Sequence, residues 1–223
     1  MALNWHRFAD RSTCIAELTQ TLVERLQSAQ ANHSDALALL AGGSTPIPLF
    51  TELNQQPLDW ARLSLTPTDE RWVPADAQDS NTRLLHEYFP HAQVLDPRLG
   101  ANRVDSAALW GELLNDRRAA DVCVLGMGED GHFASLFAQM PHLFAALDIN
   151  QAPCALIAQA PSAPCERLSL NLAMLVKSHW LGLLIFGEPK KALLEQAIEG
   201  DKHLPVYALV AQQVRDLEIY WAP

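Results

Sequence analysis

Three short apolar runs, each broken off by glycine, set the tightest limit on what this chain can fold into. Ala36–Ala41 (ALALLA) stops at Gly42-Gly43, Asp121–Leu125 (DVCVL) at Gly126, and His179–Phe186 (HWLGLLIF) at Gly187. Runs that are apolar at nearly every position, rather than at every second one, are the pattern of strands buried on both faces. A parallel sheet covered by helices is implied. The helices are readable between the runs. In Ser12–Asn32, residues Ile15, Leu18, Leu22 and Leu26 recur at the spacing of one helical face, with Ser12 or Thr13 as the N-cap. Pro46 suits the first turn of a helix through Leu49, Phe50 and Leu53. Asp79 or Ser80 caps a helix running to Phe89, Ser106–Arg118 and Glu188–Glu199 read as helices, and a further helix is expected to open at the glycine-rich turn 126–132. Leu63–Thr66, Val94-Leu95, Ala155–Ala158, Leu168–Leu170, Val206–Val210 and Leu217–Tyr220 are the remaining expected strands.

Strands alternating with helices predict an α/β fold, a doubly wound and mostly parallel sheet with helices on both faces. No linker or repeat interrupts the alternation, so residues 1–223 are expected to form a single domain. Ligands bind beyond the carboxyl ends of strands in such sheets, which sends the search to the loops after Ala41, Thr66, Leu125 and Phe186.

Composition narrows the classes of function. The chain is 49% hydrophobic and 19% charged, enough for a large core and incompatible with extended disorder. Its formal net charge of -10 argues against nucleic acid or a membrane surface as partner, since both require a positive face. An anionic ligand would need a local cluster of cations. The N-terminal segment lacks an apolar export signal, and no window approaches a membrane span, so a soluble, cytoplasmic protein is expected. Cys14, Cys123, Cys154 and Cys165 show no CxxC spacing and are expected to be reduced thiols.

Four segments carry residues suited to chemistry. Gly42-Gly43-Ser44-Thr45-Pro46 offers a backbone open to close approach and two hydroxyls at a helix start, which suits a phosphate as well as an ordinary capped turn. Gly126–His132 (GMGEDGH) sets two carboxylates and a histidine on a strand end, and a histidine there is placed for acid–base work. Its GxGxxG spacing, Gly126, Gly128 and Gly131, is a weak dinucleotide signal, because Glu129 and Asp130 would put negative charge beside a pyrophosphate. Thr68–Pro74 with Asp79–Arg83 reads on its own as a solvated charged loop. Lys190, in Gly187–Lys191, places a cation at a helix start, where the dipole disfavours it unless an anion is bound. No histidine or cysteine spacing suits a metal, and Ser44 is not in a nucleophile elbow.

Together, GGSTP, TDERWVP with DSNTR, GMGEDGHFASLF, ERLSLNL and GEPKKALL, in this order over residues 42–194, resemble the 6-phosphogluconolactonase family. The resemblance implies a Rossmann-like fold shared with glucosamine-6-phosphate deaminases. It also implies hydrolysis of 6-phosphoglucono-δ-lactone to 6-phosphogluconate in the pentose phosphate pathway, without metal or organic cofactor. Carried over by motif, the family's catalytic histidine falls on His132, and the Asp and Arg of its DER motif fall on Asp69 and Arg71. Gly43, Ser44, Thr45, Arg71, Arg167 and Lys190 would hold the phosphate, and Asn81 and Arg83 would wall the site. The expected mechanism uses His132 as base and then acid, with Asp69 orienting the imidazole or the water. The partner is a small phosphorylated sugar lactone, and the chain is expected to be a monomer or weak homo-oligomer.

Two positions depart from the family pattern. Phe133 stands where a threonine usually follows the histidine, and Ala138-Gln139 stand where Pro-Gly is usual. The phenylalanine is expected to narrow the crevice. A deaminase acting on glucosamine-6-phosphate and a non-catalytic sugar-phosphate sensor are the alternatives. The deaminases' Asn-Glu-Pro segment is missing after Gly131-His132, and a sensor would not need both His132 and Asp69.

Overall fold

A computed structural model describes all residues, 1–223. The chain runs β1 (Leu3–Arg7), α1 (Arg11–Asn32), β2 (Ala36–Leu40), α2 (Ile47–Leu53), β3 (Leu63–Pro67) and β4 (Asp69–Arg71). It continues through α3 (Asn81–Tyr88), β5 (Gln93–Val94), α4 (Arg103–Asp116), β6 (Val122–Gly126) and α5 (Leu143–Leu147). The last part is β7 (Ala155–Gln159), β8 (Glu166–Leu170), α6 (Leu172–Val176), β9 (Leu181–Phe186), α7 (Glu188–Glu199), α8 (Val206–Ala211) and β10 (Leu217–Ala222).

Seven strands form one parallel sheet in the order β1-β10-β9-β6-β2-β3-β5. The three apolar runs are its central strands. Their alternate residues enter two separate cores: Leu37, Leu39, Cys123, Leu125, Leu183 and Ile185 pack on one face, and Ala38, Leu40, Val122, Val124 and Leu184 on the other. This two-sided burial is why the runs are apolar without alternation. Helices α1, α2 and α3 cover the second face through residues such as Leu18, Leu22, Phe50 and Leu85. The first face is covered by α4, α6, α7 and α8. The doubly wound α/β arrangement expected from sequence is the one observed.

The chain leaves β2 in one direction, through β3 to β5, and returns to the other side of β2 with β6. The strand order therefore reverses between β2 and β6. Their C-terminal loops splay apart there and open a crevice.

Several expectations are corrected. Asp69–Arg71 is not a solvated loop: it is β4, which joins β8 and β7 in a small antiparallel sheet, so Ala155–Ala158 and Leu168–Leu170 lie outside the parallel one. Glu70 is fully buried. Val206–Val210 is helix rather than strand, because Val206, Leu209 and Val210 sit three and four residues apart and bury one helical face behind Pro205 at the N-cap. No helix opens at residues 126–132. The chain runs on through turns, with Ala134 at φ 47° and a bridge from Phe133 to Leu136, before α5 begins at Leu143. Helix α1 is capped by Asp10, which accepts from the Thr13 N–H at 2.8 Å, rather than by Ser12 or Thr13. Strand β1, unread in the sequence, pairs with β10 at the sheet edge. All four cysteines are free, and burial pushes the Cys14 thiol up to about 12. No helix is long and apolar enough to cross a membrane.

Candidate active site

The loop after β2 forms one wall of the crevice. Gly43 has φ 86°, a left-handed conformation open to glycine at little cost. At Gly42 a Cβ would lie 2.0 Å from the Asn81 side chain, so a larger residue would displace Asn81. With α2 starting only at Ile47, the N–H groups of Gly42, Gly43, Ser44 and Thr45 donate to no acceptor in the protein. They are available to an anion.

The loop after β6 supplies the histidine. Gly128 N–H donates to the His132 carbonyl at 2.8 Å, and Gly131, at φ 77°, donates back to the Gly128 carbonyl at 3.2 Å. This tight reversal lays the imidazole over Gly128, where a Cβ would come within 2.1 Å of His132 Cε1. His132 Nδ1 lies 2.5 Å from Asp130 Oδ1, and the ring packs on Phe137 with centroids 4.2 Å apart. Nε2 has no partner in the protein. With the proton on Nδ1, held by a carboxylate, Nε2 presents its lone pair to the crevice. Partial desolvation pushes the Asp130 carboxyl up, but its hydrogen bond to His132 and the imidazolium charge outweigh this, and the net direction is down.

The third wall comes from β4 and α3. Asp69 lines the cavity but does not reach the imidazole. Its Oδ2 accepts from Ser135 Oγ at 2.5 Å and its carbonyl accepts from Asn81 Nδ2 at 2.7 Å. Of the two roles expected for Asp69, orienting the imidazole or the water, the first is corrected to Asp130, which is close in sequence and shares the turn of His132. Arg71 pairs across the antiparallel ladder with Arg167, so two guanidinium-bearing residues stand opposite each other. Arg167 is buried, and desolvation followed by the Arg71 charge lowers its pKa, opposed by Asp69, Asp79 and Glu70. The Nε atoms of both arginines are buried without a partner. Such a pair is stabilised by a bound anion.

A cavity of about 170 Å³ joins these walls, lined by Gly42–Thr45, Asp69, Arg71, Asn81, Gly126–Gly128, His132 and Ala134. Ser44 and Thr45 also line a second cavity of about 490 Å³, which Lys190 borders. Lys190 has no carboxylate within 4 Å, and desolvation lowers its pKa despite Glu129 nearby. Gly43, Ser44, Thr45, Asp69, Arg71, Asn81 and His132 are therefore brought together, with Lys190 next door and Arg167 behind Arg71. Arg83 is not among them: it lines neither cavity and pairs with Glu87 at 3.3 Å along α3. Phe133 does not narrow the crevice. It is fully buried in the core beneath it.

Sequence reasoning missed three residues. Asp130 had a signal, its two-residue spacing from His132 in a glycine-bounded turn. Ser135 and Arg98 had none, since their partners are Asp69 and Glu70, far away in the chain.

Comparison with known proteins identifies the family. Residues 9–221 match the family model described as glucosamine-6-phosphate isomerases/6-phosphogluconolactonase. The chain is 36% identical to a 6-phosphogluconolactonase of Pseudomonas putida, covering 100% of this chain and 94% of that protein. It is 32% identical to one from Neisseria meningitidis serogroup A, covering 98% of each. Among solved structures, a 6-phosphogluconolactonase from Shewanella baltica superimposes with a TM-score of 0.90 at 31% identity, covering 99% of this chain and 98% of the other. With motifs, fold and relatives in agreement over almost its whole length, the chain belongs to the glucosamine-6-phosphate isomerase/6-phosphogluconolactonase family.

Proposed function

We propose that this protein hydrolyses 6-phosphoglucono-δ-lactone to 6-phosphogluconate, with His132 as the proton-transfer group. The observation that carries the reading is the imidazole itself. Asp130 holds Nδ1 at 2.5 Å, and Nε2 is free in a cavity walled by an anion-binding loop and an arginine. The phosphate sits over Gly43, Ser44 and Thr45, the stretch from which both cavities are reached, with Arg71 backed by Arg167 on one side and Lys190 on the other.

Nε2 takes a proton from water as the oxygen adds to C1, and the carbonyl becomes a tetrahedral oxyanion. Asp130 stabilises the imidazolium that forms. The oxyanion collapses, the bond from C1 to the ring oxygen breaks, and Nε2–H returns its proton to that oxygen. The carboxylic acid product then loses its own proton to solvent. An arginine or a free backbone N–H beside C1 contributes about 3 kcal/mol to the oxyanion. Asp69, fixed by Ser135, walls the water's side of the cavity.

The test is a comparison of products. Acid release from freshly generated 6-phosphogluconolactone, well above the spontaneous rate, is the expected result. Ammonia release from glucosamine-6-phosphate would assign the other activity in the family's description, and binding without turnover of either would make the protein a sensor.

A further inference from the structure

We propose that Arg11 is a specificity-determining residue of this site, holding the substrate's phosphate at Ser44 and Thr45 together with Lys190, from the side of the larger cavity. The proposal rests on the phosphorylated-lactone reading above and adds a residue that none of the sequence motifs contains.

Size is the first argument. Small-molecule sites enclose roughly 300–1,000 Å³, so the His132 cavity of about 170 Å³ is too small alone, whereas with its neighbour of about 490 Å³ it falls within that range. Ser44 and Thr45 line both, so a ligand whose carbonyl meets His132 reaches the larger space at these two residues. That space carries two cations, Arg11 and Lys190, against one carboxylate, Glu52.

Neither cation is paired with an Asp or Glu side chain. Neighbouring Lys191 is paired, with Glu188 at 3.2 Å, and lies 4.4 Å over the Trp221 ring, whereas Lys190 has no such partner. Arg11 Nε donates to the main-chain oxygen of Pro223 at 2.9 Å, and the Arg11 guanidinium stacks 5.0 Å over the Phe186 ring. These contacts fix the plane of the group and leave its terminal nitrogens free, an arrangement suited to bidentate contact with a phosphate. Both cations also stand in first helical turns, Arg11 in α1 and Lys190 in α7, where positive charge is unfavourable without an anion.

Arg11→Gln tests the assignment, with Arg7→Gln, an exposed cation on β1 outside both cavities, as the control for net charge. For the phosphorylated lactone, Arg11→Gln is expected to raise KM about tenfold while kcat stays within about twofold, the pattern of a lost binding contact. Hydrolysis of unphosphorylated glucono-δ-lactone is expected to be unchanged, and Arg7→Gln to match wild type on both. An unaltered KM in Arg11→Gln, or an equal loss on both lactones, would overturn the proposal. If wild type hydrolyses neither lactone, the functional reading fails by itself. Calorimetry with inorganic phosphate then decides the Arg11 assignment: weaker binding to Arg11→Gln supports it, and equal binding refutes it.

Discussion

At the scale of single residues, the site depends on how one imidazole is held. His132 is 28% exposed and Asp130 45%, so the pair sits at the crevice mouth rather than in the core. Its geometry comes from the turn beneath it, where Gly128 leaves room for the ring. Asp130→Asn keeps the shape of the contact but loses the charge and can stabilise the wrong tautomer. It is expected to lower kcat by about 10²-fold or more with little change in KM, measured by steady-state kinetics with the phosphorylated lactone. Equal kcat in the two proteins would remove Asp130 from the mechanism. The sequence carried part of this. His132 stands out in GMGEDGH, but which of Asp69, Glu129 and Asp130 meets it depends on the turn's three-dimensional path. Arg83 shows the converse: its type suited a phosphate, and only the orientation of α3 shows it pointing to Glu87.

At the scale of elements, β4 and α3 are joined by one buried carboxylate. Glu70 accepts from the N–H groups of Arg71 at 2.7 Å, Asn81 at 2.8 Å and Thr82 at 2.7 Å, and from Ser80 Oγ at 3.1 Å. Arg98 Nη1 closes the shell at 3.2 Å, and its Nη2 also reaches Asp96 at 3.0 Å. Glu70 thus satisfies the first N–H groups of α3 and fixes Arg71 and Asn81 in the wall they share. Glu70→Ala leaves Arg98 without its buried partner and frees those donors. It is expected to cost about 3–5 kcal/mol in denaturant unfolding, and a loss below about 1 kcal/mol would show that the cluster is not structural. The cluster was hidden because a short charged segment looks solvated until its partners are known. The same reason hid β1, whose LNWHR becomes a strand by pairing with Leu217–Trp221 at the other end of the chain. The Val206–Val210 segment was misread for a different reason. Its valines suggest a strand, whereas the spacing of Val206, Leu209 and Val210 behind a proline was the helical signal.

At the scale of the whole molecule, the legible part of the fold was the part whose physics is local. Uninterrupted apolar runs ending in glycine require two-sided burial, and this was enough to place a parallel sheet and send the search to its loops. The reversal of strand order between β2 and β6 then brings GGSTP and GMGEDGH face to face. The charge balance acquires a place as well. In a chain of net charge -10, Arg71, Arg167, Lys190 and Arg11 are all left without an Asp or Glu side-chain partner around one crevice, and together they form the local cation cluster that an anionic substrate needs. The most direct measurement of the central claim is acid release from fresh 6-phosphogluconolactone by wild type and by His132→Ala, each corrected for spontaneous hydrolysis. The account predicts a loss of about 10²- to 10⁴-fold in the variant, with binding of 6-phosphogluconate retained. Turnover by His132→Ala near the wild-type rate would contradict it.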